Sequence, residues 1–206
     1  MSNAYWDWTY ASQVYQYMKS LIGNDYGVSG LLGNIYAESN ICPFRCEGDN
    51  TAPYTTSYNA TMNTIRTLSD YDFQHYHLPT STPSHVGYSL AQWTTYSRKS
   101  NYYQYCGQSL LGDGQKSMEF LALELQQSYP SVWNVLVNAT TIRQASNKVL
   151  FDFEAPADQS ITVQNQRAGY SQQVYDDFSG LPPVPIGTSD LLILRRILKN
   201  QHKMVL

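Results

Sequence analysis

The first forty residues carry two successive sets of apolar side chains at the spacing of an α-helix. They are Val14, Tyr17, Met18, Leu21 and Ile22, followed by Val28, Leu31, Leu32, Ile35 and Tyr36. Residues spaced i, i+3, i+4 and i+7 share one helix face, so each set predicts a helix that packs against a core. Gly23 and Asn24 mark the break between the two helices.

Beyond the second helix the periodicity is lost and then returns. Residues 40–58 contain Pro43 and Pro53 and predict an irregular excursion with room for short strands. Helical patterns resume from Leu90 and continue almost to Gly180. The predicted fold class is mainly α, an α+β arrangement in which a helical lobe carries a small irregular or β excursion.

The low content of charged residues restricts the classes of partner. Charged residues make up only 14% of the 206 residues, against about a quarter in ordinary proteins, and the net charge is −3. This balance argues against nucleic acid as a partner. No apolar run reaches the roughly 18 residues that span a bilayer, and the N-terminus lacks the features of a secretory signal peptide. The 18 tyrosines suit either stacking on sugar rings or contact surfaces within an assembly.

The three cysteines do not predict a metal site. Cys42 and Cys46 have three residues between them, and pairing them with His75 and His77 would give a spacing unlike that of common zinc sites. Cys106 makes the count odd, which is unlike a secreted disulfide framework. We therefore predict no metal and no cofactor, with either free thiols or a single disulfide.

The composition changes after Gly180, which divides the chain into three predicted parts. Residues 1–180 form one domain, residues 181–188 (LPPVPIGT) form a stiff extended linker, and residues 189–206 form an apolar helix with a basic rim. An apolar helix requires a surface to cover it. It either docks onto another protein or packs back on its own domain.

Glu38 is the most informative single residue. It lies three positions after Ile35 and seven after Leu31, on the apolar stripe of the second helix and in its last turn. Burial and the negative end of the helix dipole would both favour a protonated carboxyl, as suits a catalytic acid. A structural role, in an ion pair with Arg98 or Arg167, fits the same position equally well.

Several longer sequence segments, called family words below, resemble those of one protein family. They are YQYMKSLIG, GLLGNIYAESN, GYSLAQWT followed by YSRK, FLALEL, ASNKVLFDFEAPADQS and QRAGYSQQVYDDF. In this order, over roughly residues 10–178, they resemble the phage tail-tip lysozyme family. An acid at the end of a buried helix, an irregular excursion and a G-x-x-L-x-Q segment form the layout of the lysozyme superfamily.

The resemblance implies a muramidase-like glycoside hydrolase that cuts the glycan strands of peptidoglycan. Such an enzyme would be made in the host cytoplasm and carried in the virion tail to the host cell wall. The resemblance does not extend to residues 189–206, whose apolar and basic sequence predicts docking onto other tail proteins. Glu38 falls on the catalytic acid of the family. Ser39 follows it as in the Glu-Ser pair of related transglycosylases, where the hydroxyl steadies the acid or contacts the sugar. The segment that lines the sugar cleft corresponds to Gly87, Tyr88, Leu90, Gln92 and Trp93. We expect Leu90 to be a core residue and the other side chains to bind substrate.

The sequence leaves two alternatives for the catalytic group that acts beside Glu38. Glycoside hydrolysis usually uses two carboxylates. The candidates after Glu38 are Glu47 and Asp49 and, further on, Asp70 and Asp72. Relatives carry an Arg-Asp pair before the GYGLAQW segment, whereas this chain reads PSHVGYS, with Ser89 in place of a glycine. Either Glu47 or Asp49 orients a water molecule, or the N-acetyl group of the substrate assists and the enzyme is a lytic transglycosylase.

Other functions stay open beside the tail-bound enzyme. One is a catalytically inactive tail protein that keeps the lysozyme fold, which the missing Arg-Asp pair favours and Glu38, Ser39 and Gln92 disfavour. Another is a free endolysin with the same chemistry. Glu154 and Arg167 also match family words, and we predict structural roles for both.

Overall fold

The computed structural model describes residues 8–47, 56–76 and 86–185, and within these ranges the chain is mainly helical. The helices are α1 (Trp8–Ile22), α2 (Asp25–Ser39), α3 (Thr56–Ile65), α4 (Asp70–His75), α5 (Tyr96–Cys106), α6 (Gly114–Gln127), α7 (Pro130–Asn138), α8 (Ile142–Val149) and α9 (Ile161–Phe178). A π-helical turn, Leu150–Glu154, extends α8. Strand pairing in the described ranges is limited to two isolated bridges, Cys46 with Tyr88 and Tyr88 with Trp93. The mainly α prediction is confirmed.

The two core-facing helices predicted from periodicity are confirmed as α1 and α2. Val14 and Met18 in α1, like Val28 and Leu31 in α2, are almost completely buried. Asn24 begins α2, because its side chain accepts hydrogen bonds from the first backbone N–H groups of the helix. Whereas α1 buries one face, α2 is buried on nearly all sides and forms the centre of the fold.

Three glycines on α2 allow neighbouring helices to approach its backbone. The contacts are Gly27 with Leu136 in α7, Gly30 with Ala145 in α8 and Gly33 with Ser171 in α9. A methyl group at Gly33 would lie 2.1 Å from Ser171 Oγ and 2.4 Å from the Ser171 backbone nitrogen, which is closer than atoms can pack. These close contacts fix the position of α9 against the C-terminal half of α2.

The segment before α5 differs from the prediction. The pattern predicts a helix from Leu90, but α5 begins only at Tyr96. Residues 88–93 instead form a tight turn, closed by hydrogen bonds in both directions between the backbones of Tyr88 and Trp93, at 3.0 and 3.2 Å. Backbone groups that pair across a turn cannot also join a helix.

The first residues of the predicted linker lie along α1. Hydrogen bonds run from the side chains of Gln16, Lys19 and Ser20 to the backbone oxygens of Pro182, Ser179 and Val184, at 3.0, 2.9 and 2.7 Å. The predicted helix at residues 189–206 lies outside the described residues. Among the helices that the structure describes, none combines the length and hydropathy needed to cross a bilayer.

Gly33→Ala is expected to lower the free energy of unfolding by about 1–3 kcal/mol, because the added methyl group overpacks the contact between α2 and α9. Gly169→Ala is the matched control. It also lies inside a helix, but an added methyl group meets nothing within 4 Å, so the substitution should be neutral or stabilise by up to about 1 kcal/mol. Urea unfolding of both variants measures the difference. Equal effects would show that Gly33 is not required for the close approach of α9.

Candidate active site

A cleft of about 380 Å³ opens where the end of α2 meets the loop before α5 and the π-helical turn after α8. Its lining combines three carboxyl groups with a guanidinium group and an amide. The lining residues are Glu38, Glu47, Ala91, Gln92, Thr94, Thr95, Arg98, Glu154 and Pro156. The cleft therefore brings together three residues predicted for the site, Glu38, Glu47 and Gln92.

Glu38 lies in the last turn of α2, which ends because Asn40 takes the left-handed conformation and bonds to the carbonyl of Tyr36. Its Oε1 lies 2.6 Å from Nη2 of Arg167 in α9. Nη1 of Arg167 donates to the backbone oxygen of Asn34, at 2.8 Å, which anchors the guanidinium on α2. The Glu38 side chain is 24% exposed. The prediction that it is buried on the apolar stripe is therefore wrong, and the predicted ion pair with Arg167 is confirmed.

Ser39 connects the end of α2 to the loop that precedes α5. Its hydroxyl donates to the backbone oxygen of Leu90 at 2.7 Å, and its side chain is fully buried. The predicted contact with the sugar or with the acid does not fit this position. Leu90 is buried as well, as expected for a core residue.

The turn at residues 88–93 has unusual backbone angles. Ser89 and Gln92 have φ values of 70° and 44°, a region that costs residues other than glycine about 1 kcal/mol. This conformation gives a physical reason for the glycine that relatives carry at the position of Ser89. The Gln92 amide donates to the backbone oxygens of Ser89 and Arg45, at 2.7 and 3.2 Å, and so holds the turn against the segment after α2.

Tyr88 and Trp93 lie beneath the turn, where both are buried. Direct sugar contacts, as predicted, do not fit that burial. The Trp93 indole instead donates to Glu124 at 2.8 Å, and Glu124 also receives two hydrogen bonds from Arg98, at 2.8 and 2.9 Å. The Arg98 guanidinium packs on the ring of Phe153 at 4.9 Å. Trp93 thus helps to fix the wall of the cleft rather than lining it.

Glu47 enters the cleft from the excursion after α2. Its Oε2 accepts a hydrogen bond from the backbone N–H of Gly87 at 2.8 Å, and its own N–H donates to the Gly87 carbonyl at 2.9 Å. Among the predicted second carboxylates, Glu47 lines the cleft and Asp49 lies outside the described residues. Asp70 and Asp72 lie in α4 and are not part of the lining.

Two further ionisable groups belong to this region: Glu154, for which the sequence predicted a structural role, and Lys99, for which it predicted none. Glu154 lines the cleft, and its Oε1 is buried with no hydrogen-bond partner. Burial and the nearby Glu38 raise the pKa of Glu154 well above its usual value. Lys99 is completely buried and donates to the backbone oxygen of Val86 at 3.2 Å, and burial lowers its pKa to about 8. The only signal for Glu154 in the sequence was its place in a word shared with the family.

The cysteines take no part in the cleft. Cys42, Cys46 and Cys106 are buried free thiols, and burial raises the pKa of Cys106 to about 12. His75 stacks between Tyr71 and Tyr96, and His77 lies outside the described residues. In the part of the chain that the structure describes, no three His, Cys, Asp or Glu side chains are grouped so as to hold a metal ion.

The model of one protein family, phage tail lysozyme, matches residues 9–178. The matched range includes all the residues that line the cleft, and it ends close to the start of the predicted linker. No curated protein and no solved structure matches this chain.

Proposed function

We propose that this chain, which belongs to the phage tail lysozyme family, is a glycoside hydrolase that cuts the glycan strands of peptidoglycan. Membership indicates a lysozyme-like function that acts on peptidoglycan. Beyond this membership, we propose which bond is cut, which residues cut it and where in the virion the protein lies.

The observation that carries the proposal is the pair of carboxyl groups, Glu38 and Glu47, that line one cleft. Cleavage of a glycosidic bond needs one group that protonates the leaving oxygen and a second that acts at the anomeric carbon. Glu38 is the acid in this assignment, because it is partly exposed at a helix end and Arg167 fixes its orientation. Glu47 is the group that orients the attacking water, and the N–H of Gly87 fixes its carboxylate.

Glu38→Gln is expected to reduce the release of new glycan ends by about 100-fold or more, because the amide cannot donate a proton. The melting temperature should fall slightly, since Arg167 loses its charged partner. Mass spectrometry of digested peptidoglycan should show new reducing ends or anhydromuramic ends with the parent protein. Asp177→Asn, an exposed carboxyl outside the cleft, is the control and should match the parent.

Two results would contradict this assignment. Release of free amino groups alone would mean that the parent cuts peptide cross-links, and the glycosidase proposal would fail. Activity of Glu38→Gln within a few fold of the parent would remove Glu38 from the mechanism.

Glu47→Gln tests the second group. The amide oxygen can still accept from the Gly87 N–H, so the fold should be kept while kcat falls by about 10²–10⁴-fold. Asp49→Asn is the matched comparison and should have a much smaller effect. If Glu47→Gln keeps its activity and the products carry anhydro ends, the enzyme is a lytic transglycosylase instead of a hydrolase.

We also propose that the protein acts from the virion tail, with residues 189–206 docked onto another tail protein. The family description supports the tail, and the apolar and basic sequence of the segment supports docking. A free endolysin and an inactive structural protein are the competing proposals.

Deletion of residues 186–206 tests the docking segment and leaves residues 181–185 in place along α1. The truncated chain is expected to keep its melting temperature and its activity on isolated cell wall, and to disappear from purified particles in an immunoblot. Normal incorporation, or unfolding of the truncated chain, would contradict docking by this segment. Absence of the full-length chain from particles would favour a free endolysin.

A further inference from the structure

The backbone around Glu154 is shaped in an unusual way. Glu154 ends the π-helical turn Leu150–Glu154, a form that inserts an extra residue into a helix and recurs at functional sites. Ala155 follows with φ 44°, in the left-handed region, which is unfavourable for residues other than glycine. The N–H of Ala155 bonds to the Leu150 carbonyl at 2.9 Å and closes the turn. The strained backbone at Ala155 thus directly follows Glu154, whose side chain lines the cleft.

The surroundings of Glu154 favour a neutral carboxyl. Its Oε1 is buried without a hydrogen-bond partner, and such surroundings disfavour the ionised form of a carboxyl group. The charged groups that face it are Glu38 from α2, Arg98 from α5, Glu124 from α6 and Arg167 from α9. Burial and then Glu38 raise the pKa of Glu154, and the two arginines offset only part of this effect. Burial and the neighbouring Glu38 therefore favour the protonated form of the Glu154 carboxyl.

Glu38 has the opposite surroundings. Its Oε1 is engaged in the ion pair with Arg167, and its side chain is partly exposed. Arg167 fixes the orientation of this carboxyl group, which lines the cleft and can reach substrate. The burial predicted for the Glu38 carboxyl is found at Oε1 of Glu154 instead.

We propose that Glu154 stores the proton that Glu38 delivers to the glycosidic oxygen, so that the two carboxyl groups act as a pair that shares one proton. Glu154 is a positioning residue for the proton, since its buried Oε1 cannot reach substrate. The inference rests on the proposed glycan cleavage.

Over one turnover, the pair of carboxyl groups loses one proton and regains one. The proton moves from Glu154 to Glu38 and then onto the leaving oxygen as the bond from that oxygen to the anomeric carbon breaks. Water adds its hydroxyl to the anomeric carbon, and its remaining proton is taken up by Glu47 and reaches the pair through solvent. In a transglycosylase route, the proton of the attacking sugar hydroxyl returns in the same way.

Glu154→Gln keeps the shape and neutrality of the side chain but removes the stored proton. With purified peptidoglycan as substrate, we expect kcat at pH 7 to fall about tenfold or more, with KM little changed. The alkaline limb of the kcat–pH profile should move to lower pH by about one unit or more, because Glu38 then depends on protons from solvent. Asp152→Asn, on the same turn but exposed and paired with Lys148, is the control and should keep the parent profile. A Glu154→Gln profile parallel to that of the parent would overturn the proposal.

The pH dependence of stability gives a second readout that needs no activity. The pKa of Glu154 is higher in the folded chain than its ordinary value of 4.5, so the folded state binds this proton more tightly than the unfolded state. Its contribution to stability is fully present below about pH 4.5 and is lost as pH rises through the folded pKa. The melting temperature of Glu154→Gln relative to the parent should therefore increase from pH 5 to pH 8.

The two readouts separate this inference from the proposed function. A constant difference in melting temperature across this pH range would show that Glu154 stores no proton and would overturn the inference, even if glycan strands are cut. A parent protein that cuts no glycan would overturn the proposed function and the relay together, while a rising difference would still show that the proton is held in the cleft.

Discussion

The close contact between α2 and α9 at Gly33 determines both the fold and the site. Because Gly33 has no side chain, the backbone of Ser171 lies where a methyl group would otherwise be. Arg167 lies one helical turn before Ser171, and the Ser171 hydroxyl donates to its carbonyl at 2.8 Å. The same contact that packs the helices therefore carries the Arg167 guanidinium to within 2.6 Å of Glu38.

The other parts of the cleft are attached to this central helix by a few specific bonds. Ser39 holds the turn at residues 88–93 through the Leu90 carbonyl, and Glu47 is held by the backbone of Gly87. Arg98 is fixed by Glu124 on the opposite wall. These side chains are immobilised by packing and hydrogen bonds, which gives the carboxyl groups fixed positions before any substrate binds.

Most of the helices and the place of Glu38 could be predicted from the sequence, because local residue patterns indicate helices. Three features can be recognised from residues that are close together in the sequence. They are the apolar stripes of α1 and α2, the position of Glu38 at a helix end, and the order of the segments that resemble the family. Burial depends on contacts between distant segments, so the helix pattern predicted too little exposure for Glu38. The family resemblance predicted a sugar contact for Trp93, which is buried and bonded to Glu124 instead. Oε1 of Glu154 is buried without a hydrogen-bond partner because a π-helical turn and four other elements surround it, and no local sequence pattern predicts this.

The comparison of Glu38 with Glu154 also shows why position along a helix is a weak guide to charge. Both carboxyl groups lie at the end of a helical segment and line the same cleft. Glu38 is joined to Arg167, whereas Glu154 has a buried oxygen without a partner, so the surroundings of each carboxyl group are set by tertiary contacts and not by sequence position.

A crystal structure of Glu38→Gln with a bound peptidoglycan glycan fragment tests the central claim most directly. The account predicts that the fragment crosses the cleft between Glu47 and Gln92 and that a glycosidic oxygen lies within hydrogen-bond distance of the amide at position 38. A fragment bound elsewhere would contradict it, for example in the second groove of about 380 Å³ beside Tyr105 and Gln127.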